Sequence, residues 1–160
     1  MPLPPLPDAA IVLRADAADW RAAVGLAGAA LARSGAARAD YADEMIRMID
    51  EHGPYVVIAP GLALAHARPG PQVLGDGLSV VTLATPVAFG HPHNDPVRVV
   101  LGLAVHSLDH HLPLVAELAN VFNDGDATGR LAAAITADEV RGILGVAAVG
   151  RPAADAAASA

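Results

Sequence analysis

VRVVLGLAV, residues 97–105, is apolar throughout except for Arg98 and Gly102. It is too short to cross a membrane as a helix and is rich in β-branched residues, so it reads as a strand. A half-exposed strand would alternate apolar with polar residues. A near-continuous apolar run needs cover on both faces of its sheet. The same reading extends outward. LSVVTLAT (78–85) is a second strand, with 87–89 as a short partner. Leu62–Ala65 is a third, after the Pro60-Gly61 turn, and YVVIA (55–59) a fourth.

Helical periodicity flanks these strands on both sides. Asp16 is placed to cap a helix running to about Arg33, with Trp20, Val24, Ala27 and Leu31 on one face and Gly35 as its stop. A second helix spans about 39–52, with Tyr41, Met45, Met48 and Ile49 at helical spacing and Gly53-Pro54 at its end. Beyond the strands, helices are expected at 110–122, about 127–135, and from Thr136, where Thr136-Ala137-Asp138-Glu139 forms a capping box. Two helices, several strands, then three helices imply an α/β fold: a single mixed β-sheet sandwiched by helices on both faces. The domain is expected over 11–148. Residues 1–10, opening MPLPPLPD, read as an extended N-terminal arm, and 149–160 as a disordered Ala-rich tail.

Composition excludes much chemistry. The chain has 160 residues and no cysteine, which removes disulfides, thiolate metal sites and cysteine nucleophiles. All ten basic residues are arginine, so there is no P-loop lysine, Schiff base or lysine general base. A net charge of −7 and 3% aromatics argue against nucleic acid as a partner. Apolar stretches are interrupted well short of the ~20 residues of a spanning helix, so no membrane insertion is expected. The first residues lack the basic start of a signal peptide, which points to a cytoplasmic location. No GxGxxG or GxxxxGKS sequence is present.

Seven histidines remain, at 52, 66, 91, 93, 106, 110 and 111. His52 suits the dipole at a helix end. His106 sits at a strand end. His91 and His93, with Asp95, have a spacing that zinc could use. They lie in a Pro-rich loop whose Asn94 and Asp95 can equally bond to their own backbone, and no metal is assigned. His66 differs: it ends an apolar strand, is followed by Arg68, and the chain then turns at Pro69-Gly70. An imidazole there is a good phosphoryl acceptor near neutral pH, and the guanidinium of Arg68 can fork onto a phosphate. The alternative is a strand-end histidine satisfied by a backbone carbonyl. His111 lies at a helix start, where Asp109 can cap and Pro113 fits the first turn. Free N–H groups and an imidazole there can bind an anion, or the histidine can be a plain surface residue. His110 and His111 are adjacent on the helix and cannot both face one site.

Three segments in order, GPYVVIAPGLALAHARP (53–69), NDPVRVVLGLAV (94–105) and DHHLPLVAELANVF (109–122), carry a resemblance. They resemble the IIA component of the bacterial phosphoenolpyruvate-dependent sugar phosphotransferase system, of the fructose/mannitol fold type. The HARP wording is most similar to the ascorbate-type branch. DWRAAVGLAGAALARSGAARADYADEMI (19–46) resembles that family's two N-terminal helices, so the likeness spans about Asp19 to Gly145.

The resemblance implies a phosphoryl relay that needs no cofactor. His66 would accept the group from the phosphocarrier protein HPr and pass it to a IIB component. His111 would support the acceptor, and Arg68 matches the arginine of the ascorbate-type sequence. Sugar uptake of an ascorbate-like kind would follow. A regulatory IIA that signals by its phosphorylation state, or an interaction domain that has lost the relay, are the alternatives. Two departures stand out: Ala65 replaces the family's usual proline before the acceptor, and Met48 stands where mannitol-type relatives carry an arginine. The second ring nitrogen of His66 should donate to a backbone carbonyl or to His111. An apolar rim is expected from residues 61–65 and the loop 86–96. The small apolar surface residues also allow a homodimer.

Overall fold

The alternation in Leu62-Ala63-Leu64-Ala65-His66 sets the geometry around the candidate acceptor. In the computed structural model, which describes residues 2–149, these five residues form strand β3 of a five-stranded sheet. The other strands are β1 (Ile11–Ala15), β2 (Val57–Ala59), β4 (Gly77–Val87) and β5 (Val97–Ala104), in the order β1-β4-β5-β3-β2. Strands β1 and β4, and β3 and β5, pair in parallel; β4 and β5, and β2 and β3, are antiparallel. Helices α1 (Trp20–Arg33) and α2 (Tyr41–His52) cover one face. The other is covered by α3 (Leu108–Phe122), α4 (Ala127–Ala133) and α5 (Ala137–Leu144). The sheet is therefore mixed and sandwiched by helices on both faces.

Successive strand residues point to opposite faces. Ala63 and Ala65 accordingly join the core beneath α1 and α2, while Leu62 and Leu64 join the core beneath α3–α5. That parity puts His66 on the α3 side. Ala65, in the place of the family's proline, is fully buried and in register with Gly102 of β5.

The structure moves several expected boundaries. Strand β1 was not among the expected elements, because five residues after a proline-rich start carry too weak a period. Its Ile11 and Val12 pair with Val80 and Val81 of β4. Leu6 and Ala10 are fully buried, and the Leu6 amide donates to the Ala147 carbonyl at 2.8 Å, so the segment before β1 is packed against the domain. A short 3-10 turn occupies Asp8–Ala10. The first helix is capped by Asp19, whose carboxylate accepts from the Ala22 amide at 2.9 Å, and not by Asp16. Strand β4 continues through Pro86 to Val87, with a register shift after Thr82 that absorbs the missing N–H. Of the expected tail, residues 150–160 lie outside the described residues.

Helices α1 and α2 meet at Gly28. A Cβ added there would stand 2.5 Å from the Cβ of Ala42 and 2.8 Å from its Cα. Gly28→Ala gains about 1 kcal/mol of helix propensity. It must push two backbones apart, which costs about 1–3 kcal/mol in overpacked cores. A net fall in stability is expected, read as a lower urea midpoint with an unchanged slope.

Candidate active site

His66 ends β3 with its ring half-buried and its Nδ1 2.8 Å from the Leu64 carbonyl. A carbonyl only accepts, so Nδ1 carries the hydrogen and Nε2 keeps its lone pair. The ring of His111, from the second turn of α3, lies with its centroid 5.5 Å from that of His66. Tyr55 closes the other side: its ring stands edge-on to His66 at 5.6 Å, and its hydroxyl donates to the His66 carbonyl at 3.1 Å.

Two depressions open onto this histidine pair. A cleft of about 290 Å³ is lined by Met48, Tyr55, His66, Ala67, Arg68, Pro69, Leu108 and His111. A groove of about 380 Å³ reaches the same two rings from beneath α3, between Ile58, Leu64, Val115 and Phe122. Arg68 is exposed at the cleft, and its charge opposes the rise that burial causes in the Tyr55 phenol. Met48 lines the cleft where the mannitol-type arginine was expected to be missing. Arg47, one residue away, is held at the surface by Glu44 and Glu51.

The rim around His66 matches the expected one only at Leu64, which lines the groove. Loop 86–96 lies at the opposite end of the strand. Because β3 and β5 run parallel, the loop entering β5 meets the start of β3, where the Gly61 amide donates to the Asn94 carbonyl at 2.9 Å. Five strand steps, about 16 Å, separate Gly61 from His66. Residues 63 and 65 face the other core. Beside Leu64, the apolar lining comes from Tyr55 and Leu108 at the cleft and Ile58 at the groove, with Leu108 73% exposed. Only the tertiary structure gathers these four, from β3, a turn, the start of α3 and β2.

The helix bearing His111 starts two residues earlier than the sequence suggested. Its N-cap is Ser107, not Asp109, so Pro113 falls in the second turn and leaves the Asp109 carbonyl without its intrahelical donor. His110 turns away from the cleft. Its Nδ1 lies 2.6 Å from Asp76, whose other oxygen accepts from the His106 amide at 2.7 Å. Asp76 thereby ties the start of α3 to the start of β4. No sequence signal singled out Asp76. The buried Nδ1 of His111 has no hydrogen-bond partner among the described residues. An orphaned lone pair is better tolerated than an orphaned N–H, so the ring carries its hydrogen on Nε2.

The remaining histidines lie elsewhere. His52 is the last residue of α2. In the 91–95 loop, the Asp95 carboxylate accepts from the amides of Phe89, Gly90 and His91, and His91 Nδ1 from those of His93 and Asn94. The loop's polar atoms thus bond to its own backbone.

Burial holds the His66 imidazole below its ordinary value of 6.5; the Leu64 carbonyl pulls the other way, and neighbouring His111 adds to the lowering. His66 is therefore neutral and nucleophilic at neutral pH. The depressed value also predicts a stability trend. Below 6.5 the unfolded chain binds a proton that the native state resists, so stability is complete above 6.5 and declines as pH falls from there through the folded value. The urea midpoint should drop between about pH 7 and about pH 5, and drop less in His66→Asn. An equal drop in both proteins would assign the trend to other groups.

An unprotonated nitrogen, a second imidazole and a guanidinium around an open cleft form a place where a phosphoryl group can be held and transferred. The chain belongs to the EIIA 2 family of the phosphoenolpyruvate-dependent sugar phosphotransferase system, whose model matches residues 5–145. Among its relatives is the ascorbate-specific PTS system EIIA component of Escherichia coli K12. It is 34% identical over 135 residues, covering 84% of this chain and 88% of the relative. The crystal structure of mannitol IIA from Escherichia coli is similar, with a TM-score of 0.75 and 26% identity over 85% of this chain and 96% of that one. So is the mannitol IIA in its complex with phosphorylated IIB, with a TM-score of 0.74 and 25% identity over 88% and 96% of the two chains. No helix among the described residues is long and apolar enough to cross a membrane.

Proposed function

We propose that His66 accepts a phosphoryl group from phosphorylated HPr and hands it to a IIB component, for uptake of an ascorbate-like carbohydrate. One observation carries this reading: Nδ1 of His66 is engaged by the Leu64 carbonyl, which leaves Nε2 as the free nitrogen at an open cleft. In the transfer, the Nε2 lone pair forms a bond to phosphorus. The N–P bond of the donor phosphohistidine breaks, and its electron pair returns to the donor ring. Such a loose, in-line transfer needs positioning and charge neutralisation more than covalent activation.

His66 keeps its Nδ1 hydrogen throughout. With both nitrogens substituted, the ring gains positive charge, which the Leu64 carbonyl stabilises. That charge also makes the imidazole a good leaving group for the second transfer. His111, through Nε2–H, and Arg68 are the groups available to the phosphoryl oxygens. The exposed apolar rim suits protein partners, which must both reach the same atom. The ascorbate-specific relatives and the mannitol IIA–IIB complex support the choice of carbohydrate class and of a IIB partner.

The test is incubation with enzyme I, HPr and radiolabelled phosphoenolpyruvate, followed by mapping under conditions that preserve phosphohistidine. Acid-labile label on His66 is expected, and it should be discharged by an ascorbate-type IIB. Label on another histidine, or none, rejects the assignment.

A further inference from the structure

Tyr41, the first residue of α2, is fully buried, and its hydroxyl reaches three backbone groups at the end of the central strands, of which the Ala67 carbonyl, at 3.5 Å, is the most distant. It accepts from the Ala67 amide at 3.0 Å and donates to the Leu103 carbonyl at 2.8 Å. Burial pushes the phenol up to about 12, so it keeps the proton it donates. The identity of its partners is what matters. The parallel ladder between β3 and β5 runs from Leu62 opposite Val99 to His66 opposite Leu103. In such a ladder, the next rung would join the Ala67 N–H directly to the Leu103 carbonyl. The Tyr41 hydroxyl occupies that rung.

A direct rung would hold the two atoms about 2.9 Å apart, whereas a hydroxyl bonded to both leaves room for them to stand further apart. The hydroxyl thus sits between the two strands immediately after their last pair in register, His66 opposite Leu103. One of them carries the acceptor. The other leads through Val105 and His106 into α3 and His111. We propose that Tyr41 is a positioning residue: its hydroxyl wedges β3 from β5 and so sets the separation of His66 and His111 across the cleft. The sequence placed Tyr41 only on the apolar face of a helix. The catalytic part of this inference rests on His66 being the acceptor.

Tyr41→Phe removes the wedge and keeps the ring. The turnover of phosphoryl transfer from phosphorylated HPr should fall about tenfold, with the KM for that donor changed less than about twofold, because the partner surface is untouched. Ile49→Val, on the same buried face of α2, serves as a control that loosens the core without touching the rung. It should leave both constants unchanged. The ring ¹⁵N shifts of His66 and His111 should move in Tyr41→Phe and stay in Ile49→Val; this readout needs no phosphoryl transfer, so it stands even if another histidine is the acceptor. Wild-type shifts and rate in Tyr41→Phe, or equal slowing in Ile49→Val, overturn the proposal. Should Tyr41→Phe not fold, the unmodified protein decides: a through-hydrogen-bond coupling from the Ala67 nitrogen to the Leu103 carbonyl carbon would reveal a closed rung and remove the wedge, and its replacement by contacts from the Tyr41 hydroxyl proton to the Ala67 amide would support it.

Discussion

His66→Asn is expected to take up no phosphoryl group at all, a loss of at least about a thousandfold that exceeds any other single change in the domain. The short amide can reach roughly where Nδ1 stands and keep donating to the Leu64 carbonyl, so the strand end should remain in place. What disappears is Nε2, the nitrogen at the cleft. Arg68, His111 and the apolar rim are left intact, and the variant should still bind phosphorylated HPr. Labelling with radioactive phosphoenolpyruvate measures the loss. Unchanged binding and an unchanged circular dichroism spectrum separate it from misfolding. A variant that still acquires acid-labile label would transfer the acceptor role to another histidine, and His111, with its ring centroid 5.5 Å away, would be the first to map.

The second large effect is expected at His111. His111→Ala should slow transfer to and from His66 by about a hundredfold, near the low end of what removal of one preorganised donor costs, about 2.7 kcal/mol. The reasoning is electrostatic. The phosphoryl group brings negative charge into a cleft with apolar walls, where a fixed N–H donor acts in lower dielectric than water. Stability should suffer little from lost hydrogen bonding, since the buried Nδ1 of His111 has no partner to lose. His111→Gln offers a discriminating rescue. Its amide extends toward the position of Nε2 and should recover part of the rate, while alanine should not. If alanine and glutamine behave alike and transfer stays near wild type, His111 is a wall of the cleft and not a donor.

Ala65 stands where the resemblance expects a proline, and His66 after it ends β3 beside His111. Ala65 is fully buried in the β3 ladder opposite Gly102, so the strand itself fixes the backbone that a proline would otherwise have restricted. The ring of His66 is then held by its bond to Leu64, two residues back on the same strand. The absent helix arginine has a clearer consequence. Met48 contributes apolar surface to the cleft, leaving Arg68 as the guanidinium that lines it.

Much of the fold was legible in the sequence because its signals are local. The runs 62–65, 78–85 and 97–105 are apolar enough to require a sheet covered on both faces. Tyr41, Met45 and Ile49 recur at helical spacing and are buried. Boundaries were less legible where two residues competed for one role. Asp16 and Asp19 can each cap a helix, as can Ser107 and Asp109; which does so depends on how the chain arrives from its neighbours. Strand β1 escaped because an edge strand of five residues has meaning only beside β4.

For the site, the sequence by itself determined the chemistry: a cysteine-free, lysine-free chain with His66 at the end of an apolar strand, Arg68 just beyond it, and a pair of histidines near the start of a later helix. It also fixed, by the two-residue period of β3, that His66 shares a face with Leu62 and Leu64. Which of His110 and His111 meets His66, which nitrogen of His66 stays free, which apolar residues form the rim, and what parts β3 from β5 were decided only by the tertiary structure. The reason is physical. Each of those outcomes depends on atoms brought together across the sheet, Asp76 against His110 and Tyr41 between Ala67 and Leu103, and no local periodicity encodes such a meeting.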